Sequence, residues 1–375
     1  VLLTVSMACY LGVQAGNLLA AFTGIQVPWW LITAVMLLVV GLLGYRKIDL
    51  SAKVLGVVLI LEIIAVVALD VGVLASGREL TAAPFSLTET LSGAPGLGLL
   101  FAFLGFFGFE ATAVFRGEAR DPLRTIPRAT YIAVILIGVL YTVSSWLVIS
   151  GLGEGRAVAA SVEDPDGVIV ALAGEVVGPI VADVVQVLVV TSMFACMLAF
   201  HNIVTRYLFT LGRRGVLPAS LGAVHPTRRA PSHASLWVSG LTTAIVLVSV
   251  VAMLDPVTQI YTWYSGAGAV GVILMMALTS VAVVRFGSAG ADGPGGRAPA
   301  SVLLATGLGG LGLLGVLALS LANFPLLVGG TTTAVVCGVI LVVVFAAGFL
   351  SPRRAAVGGT DGEAESLEEA PQTRS

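Results

Sequence analysis

Leu99-Leu100-Phe101-Ala102-Phe103-Leu104-Gly105-Phe106-Phe107-Gly108-Phe109-Glu110-Ala111-Thr112 places two glycines and a carboxylate in the middle of an apolar run. Glycine weakens a helix by ~1 kcal/mol relative to alanine. A carboxylate at the centre of a membrane span costs at least about 2.5 kcal/mol on insertion scales. Either alone serves packing. Both in one short stretch predict a helix that unwinds beside Gly108. Unwinding takes peptide groups out of the helical ladder, and because lipid offers them no partner they must line a cavity or be capped by side chains. In transporters such a break holds substrate and coupling ion. A continuous helix with Glu110 bonded to a neighbour accounts for the same letters, and the stretch by itself does not choose between the two.

The rest of the chain fixes the surroundings of that stretch. Of 375 residues, 57% are hydrophobic and only 11% charged, with mean hydropathy +1.03. A soluble chain carries about 25% charged residues, so this composition cannot cover a water-facing surface. Long unbroken apolar runs, rather than alternation over about ten residues, exclude barrel strands. The reading is an all-α polytopic membrane protein. Ten spans are expected, at 1–23, 29–45, 52–75, 97–116, 129–151, 178–205, 234–254, 258–285, 300–322 and 326–350. Together they make a transmembrane domain over 1–350, followed by an acidic, disordered tail at 351–375. Gly287–Pro299 reads as a flexible linker. The chain opens at Val1 inside an apolar stretch, without a basic n-region and cleavage site. It therefore reads as having no signal peptide and as beginning partway through a longer protein.

Seventeen of the 19 Lys and Arg residues fall between spans two and three, four and five, six and seven, eight and nine, and after span ten. By the positive-inside rule these segments are cytoplasmic, in the cell (cytoplasmic) membrane, with both ends of this chain inside. Trp29, Trp30, Trp146, Tyr261, Trp263 and Tyr264 cluster towards the opposite face. They read as an interfacial belt, with a substrate role for Trp263 or Tyr264 as the alternative. A net charge of −2 gives no reason to expect nucleic acid. Cys9, Cys196 and Cys337 lie singly in apolar runs and read as inert thiols, not metal ligands. Gly307-Leu308-Gly309-Gly310-Leu311-Gly312 has the letters of a dinucleotide-binding loop but sits inside a span with no acid before Asp361; small residues that let helices approach explain it better. No P-loop, HExxH or GxSxG occurs, so no enzyme activity, cofactor or metal is expected.

Downstream of the opening stretch the sequence continues Glu118-Ala119-Arg120-Asp121-Pro122-Leu123-Arg124-Thr125-Ile126-Pro127-Arg128-Ala129. Thr125 is expected to cap the next helix and Pro127 to occupy its first turn. The combined pattern F-x-G-F-E-A-x(6)-E-A-x-D-P-x-R-T-I-P-R-A resembles the sixth-helix signature of amino acid permeases, in the amino acid–polyamine–organocation superfamily. Asn202-Ile203-Val204-Thr205-Arg206 followed by Gly212-Arg213-Arg214-Gly215-Val216-Leu217-Pro218 resembles the end of the family's eighth helix. The resemblance implies an inverted-repeat (5+5) fold with a broken sixth helix. Ten of twelve helices are present, the spans here being helices three to twelve, and the first two helices, with their Gly-rich break, are not in this sequence. It implies a break at Phe107–Glu110, where Phe107, Gly108 and Phe109 offer backbone to a substrate ammonium and Glu110 stabilises the break or couples gating. Leu104 stands where some relatives carry a gating aromatic. Phe200 aligns with an aromatic that walls the substrate chamber. Phe103 or Phe106 would serve as gates, with plain core packing the alternative for each.

Glu62 lies nine residues past Lys53, about 13.5 Å deeper by helical rise. The resemblance puts it where a proton-coupled relative carries a lysine, so Glu62 is a candidate to load and release a proton. A structural hydrogen bond to Asn202 or His201 is the alternative. Asp70 and Asp183 read as residues of the outer mouth or an interface. The expected function is a secondary transporter moving an amino acid or related amine through the lipid bilayer by alternating access. Proton or cation symport leads, and exchange, a sensor or an inactive remnant are the alternatives.

Overall fold

The computed structural model describes residues 1–46, 52–92, 95–109, 121–225, 230–289 and 299–350. Glu110, Arg116, Arg120, Lys47, Arg228, Arg229 and Arg297 lie outside the described residues, as do most of the Gly-rich linker (290–298) and the tail 351–375. All regular structure among the described residues is helical. The order is α1 Leu2–Thr23, α2 Trp29–Arg46, α3 Ala52–Ala75, a 3₁₀ turn Ala83–Phe85, α4 Leu87–Leu91, α5 Pro95–Phe106, α6 Pro122–Leu152 and α7 Glu154–Glu163. Then come α8 Val168–Val176, α9 Pro179–Arg213, a 3₁₀ turn Ala219–Gly222, α10 Ser232–Val251, a π-type turn Pro256–Tyr261 running into α11 Thr262–Ala289, α12 Ala300–Ala322, α13 Phe324–Leu327 and α14 Thr331–Leu350.

Among the described residues nine helices are long and apolar enough to cross a membrane. The chain is an all-α polytopic membrane protein. The fourth expected span, 97–116, is different. α5 has 12 residues, about 18 Å at 1.5 Å per residue, against a hydrocarbon core of about 30 Å. Other boundaries move for local reasons. α6 begins at Pro122, seven residues ahead of the expected start, because a proline fits the first helical position, where no N–H is needed. Pro127 then lies inside the helix rather than in its first turn, and Thr125 is internal rather than a cap. α9 runs to Arg213, past the expected 205, with its last basic residue at the negative end of the helix dipole. α11 takes up residues 287–289 of the expected linker. The last span starts at Thr331, after α13 and the positive-φ pair Gly329–Gly330.

Three apolar cores organise the helices. Val5, Ala8, Leu11, Leu37, Met197 and Val246 join α1, α2, α9 and α10 into one block. Leu100, Val270, Ile273, Val316 and Leu327 join α5 to α11, α12 and α13. Leu69, Val73, Leu147 and Leu172 join α3, α6 and α8. Lipid is as apolar as leucine, so close backbone approach and interhelical hydrogen bonds hold such helices together. Gly12 lies against Thr33, whose Oγ1 donates to the Ala8 carbonyl at 3.3 Å. Gly268 accommodates Leu3, and Ser265 Oγ donates to Ser6 Oγ at 3.0 Å. Of the four glycines in the 307–312 stretch only Gly310 makes a close approach, to Ser280 of α11; Gly307, Gly309 and Gly312 face open space.

His201 is buried on α9, with Nε2 3.0 Å from Ser235 Oγ of α10. Gly44 of α2 lets it fit there, since a Cβ on Gly44 would lie 2.6 Å from that nitrogen. The Gly44→Ala substitution is expected to destabilise the protein by about 1–3 kcal/mol through overpacking. Thermal unfolding in detergent checks this, with Gly56→Ala, whose Cβ meets nothing within 4 Å, as the neutral control.

Candidate substrate and coupling site

α5 ends at Phe106, in the apolar middle of the Leu99–Thr112 stretch. The Phe107 N–H donates to the Leu104 carbonyl at 3.2 Å, the tighter bond of a closing turn. Residues 107–109 form a turn, and Gly108 has φ +113°, a conformation that side-chain-bearing residues rarely adopt. The turn takes Phe107–Phe109 out of the α-helical ladder and sets the C-terminal, negative end of the α5 dipole at this point.

The aromatic residues of α5 divide between two neighbours. Phe103, Leu104 and Phe107 pack onto the core shared with α11, α12 and α13. Phe106 instead meets Tyr141 of α6 edge to face, ring centroids 6.3 Å apart, and its ring covers Gly138. Gly105 makes room for the same tyrosine, because a Cβ there would lie 2.8 Å from the Tyr141 ring. Phe109 is half-buried beside Gly108.

Glu62 is half-buried in a cleft of ≈ 480 Å³ between α3, α6 and α9, lined by Leu69, Leu140, Tyr141, Val189 and Ser192 among others. Its carboxyl hydrogen-bonds Ser192, and Tyr141 is near enough to feel its charge. Neither bond expected as the structural alternative for Glu62 is its partner here. Asn202 lies ten residues further along α9, about 15 Å by helical rise, and His201 is occupied by Ser235. Phe200 and Asn202 are both half-buried on that lower part of α9. The structure therefore joins the break to the Glu62 cleft through Phe106 and Tyr141, and leaves Asn202 at another depth. Tyr141 and Ser192 did not emerge from motif reading. Their signal is polarity inside otherwise apolar helices at the level of an ionisable residue.

The end of the bundle where α3 finishes holds a second polar group. Asp70 is buried rather than open to the mouth, whereas Asp183 is exposed. Tyr10 of α1 stacks on Tyr261 at 4.6 Å, and its hydroxyl is within bonding reach of Gln14 and Asp166. Burial pushes the Asp166 carboxyl above its ordinary range, the nearby Asp164 and Asp255 charges add to this, and the Tyr10 hydroxyl opposes it. Asp255 goes the other way. Burial raises it, but bonds accepted from Thr258, backbone and hydroxyl, and from the Val257 N–H outweigh that and hold it below the usual carboxylate range. Tyr264 hydrogen-bonds Ser249 at 2.9 Å and Trp263 packs over Gly329, so both make internal contacts, while Trp30 is exposed as a belt residue would be. Among the described residues no cluster of three or more His, Cys, Asp or Glu is placed to hold a metal ion.

Residues 1–349 match the family described as Amino acid permease, and the chain belongs to that family. It is 25% identical over 182 residues to the branched-chain amino acid permease BcaP of Bacillus subtilis (strain 168), covering 48% of this chain and 36% of the relative. It is 24% identical over 222 residues to BcaP of Lactococcus lactis subsp. cremoris (strain MG1363), covering 58% and 46%. It is 26% identical over 248 residues to the low-affinity putrescine importer PlaP of Escherichia coli (strain K12), covering 61% and 49%. The chain thus spans between a third and a half of the length of these relatives.

Asp255 caps the π-type turn that starts α11. The Asp255→Ala substitution is expected to cost about 0.5–2 kcal/mol, read by thermal unfolding at neutral pH. Because the folded carboxyl titrates below its unfolded value, the cap is at full strength above the unfolded pKa. The difference between wild type and variant should shrink as pH falls through the lowered folded value.

Proposed function

We propose that this chain forms part of a secondary transporter that moves an amino acid or related amine across the cytoplasmic membrane, with a proton as coupling ion. The observation that carries this reading is the end of α5 at Phe106, with Gly108 at φ +113° in the middle of an apolar stretch. A helix C-terminus at that depth suits a substrate ammonium, which the carbonyl end of a dipole attracts. Branched-chain amino acids and putrescine, named for the relatives, share such an ammonium. The main-chain groups of Phe107–Phe109 are its expected contacts, with Phe103, Leu104 and Phe200 shaping the chamber and Glu110 and Asn202 assisting the break and its gating.

Alternating access fits the division into cores. α1, α2, α9 and α10 share one interior and make a scaffold. α5 and α6, which meet through Phe106 and Tyr141, make the part that rocks against it. Glu62, mid-depth in α3 and in the cleft between α3, α6 and α9, is the proposed proton carrier. The distribution of basic residues supports cytoplasmic placement of both chain ends.

Uptake into proteoliposomes made from the complete coding sequence tests both parts. Glu62→Gln is expected to abolish the dependence of uptake on a pH gradient; uptake that remains fully gradient-dependent rejects the coupling role. Gly108→Ala forces a side chain into positive φ and is expected to lower uptake by about tenfold or more, the equivalent of 1–3 kcal/mol of backbone strain. Gly138→Ala, where an added Cβ makes ordinary contact with Phe106 at 3.6 Å, should stay within about twofold, well under the tenfold that 1.4 kcal/mol represents.

A further inference from the structure

A groove of ≈ 680 Å³ runs along the outside of the four-helix block, between α2 and α10. Its floor is where the two helices meet. Ser232 Oγ donates to the Tyr45 carbonyl at 3.3 Å, Ser235 lies against Gly44, and Ser239 lies against Gly41. These contacts pair the end of α2 with the start of α10, so the two helices run antiparallel. Small residues let their backbones approach, and larger side chains on either side form the walls.

The lining residues follow the helical period. On α2 Trp30, Ala34, Leu38 and Leu42 recur every four positions, and on α10 Leu236, Ser239, Thr243 and Leu247 recur every three or four. Each row continues into a residue able to donate hydrogen bonds to an anion. Four past Leu42 is Arg46, the last residue of α2, and three before Leu236 is His233, in the first turn of α10. Both are exposed, and Arg46 makes no ion pair among the described residues. The groove is thus largely apolar for about 18 Å from Trp30 to Leu42, with a cation at one end.

Half of a ~30 Å hydrocarbon core is ~15 Å, so that length takes one acyl chain from its headgroup to the bilayer midplane. Lipid tails are as apolar as leucine, so the chain alone gives no preference for the groove over the surrounding bilayer. The guanidinium does, because it can hold a phosphate through two parallel N–H bonds. A second copy of this chain seated groove to groove would need an acid to face Arg46, and α2 and α10 contain no Asp or Glu. We propose that the α2–α10 groove binds one anionic phospholipid, its acyl chain along the groove and its phosphate on Arg46 and His233. The site is separate from the α5 break and the Glu62 cleft and does not depend on the substrate reading.

The test uses the complete protein, stripped of lipid in detergent and titrated with phosphatidylglycerol or with phosphatidylcholine of the same acyl chains. Native mass spectrometry counts the bound lipid. Wild type is expected to hold one phosphatidylglycerol about fivefold or more tighter than phosphatidylcholine, the ~1 kcal/mol that one basic residue contributes at an anionic headgroup. Arg46→Gln should lower the phosphatidylglycerol affinity by about fivefold and leave phosphatidylcholine unchanged. Ala34→Trp fills the groove from an exposed position and should weaken both lipids by about tenfold or more. Leu304→Trp, equally exposed but on α12 outside the groove, should alter neither. Equal affinity of wild type for the two lipids overturns the site, and so does unchanged phosphatidylglycerol binding in Ala34→Trp. A wild-type dimer that Ala34→Trp splits gives the groove to a second copy and overturns it as well. Arg46→Gln, at an exposed helix end, decides the matter by itself should the tryptophan disturb folding: unchanged selectivity there rejects the proposal.

Discussion

A peptide group in hydrocarbon has no water to bond, so every N–H and C=O must find a partner within the protein. Nine of the helices meet this through their own ladders. Several of their hydroxyls fold back on the preceding turn: Thr142 bonds the Gly138 carbonyl, Ser249 that of Ile245, and Ser320 that of Val316. Among the described residues the ladder departs from α-helical winding at the π-type turn Pro256–Tyr261, closed by Asp255 at its start and by Thr262 Oγ1 donating to the Val257 carbonyl, and at the end of α5. Against that background a buried carboxylate oxygen without a partner, Asp70 Oδ1, is costly, and so is a helix that stops at Phe106.

The interior is divided so that these departures sit at boundaries between cores. α1, α2, α9 and α10 interlock through glycine and serine contacts, with Thr33 on Gly12 and His201 wedged between Gly44 and Ser235. α5 belongs on one side to the α11–α12 core and on the other meets α6 through Gly105 and Phe106 against Gly138 and Tyr141. A narrow contact of this kind gives α5 and α6 less shared interior than the interlocked backbones of the four-helix block have.

Much of the fold was legible because lipid imposes a length and polarity rule on each segment. Apolar runs bounded by arginines or prolines gave helices, and Gly108 next to Phe107 and Phe109 marked a place where winding is costly. Local chemistry set what the pattern missed. Pro122 started α6 early, and Arg213 ended α9 late. Partners across space were less legible. Glu62 was recognisable as an ionisable residue in a span, but its neighbours Ser192 and Tyr141 depend on the register between α3, α6 and α9, which no run of letters encodes. The letters placed Asp70 at the mouth or an interface without choosing between them; its burial and its bond to Ser144 of α6 put it at the interface.

The loop after α3 ties three elements together. Arg78 reaches the Gly151 carbonyl at the end of α6 and the Glu175 carboxylate at the end of α8. Thr81 receives the Trp146 indole N–H on its carbonyl at 2.7 Å and bonds Glu154 and Ser150 through its hydroxyl and N–H. Strands of contact this dense act as a rivet. Torque applied to this end of any one of α3, α6 or α8 is carried to the other two, so that corner turns as a single lever and bending must occur nearer the opposite end of the bundle.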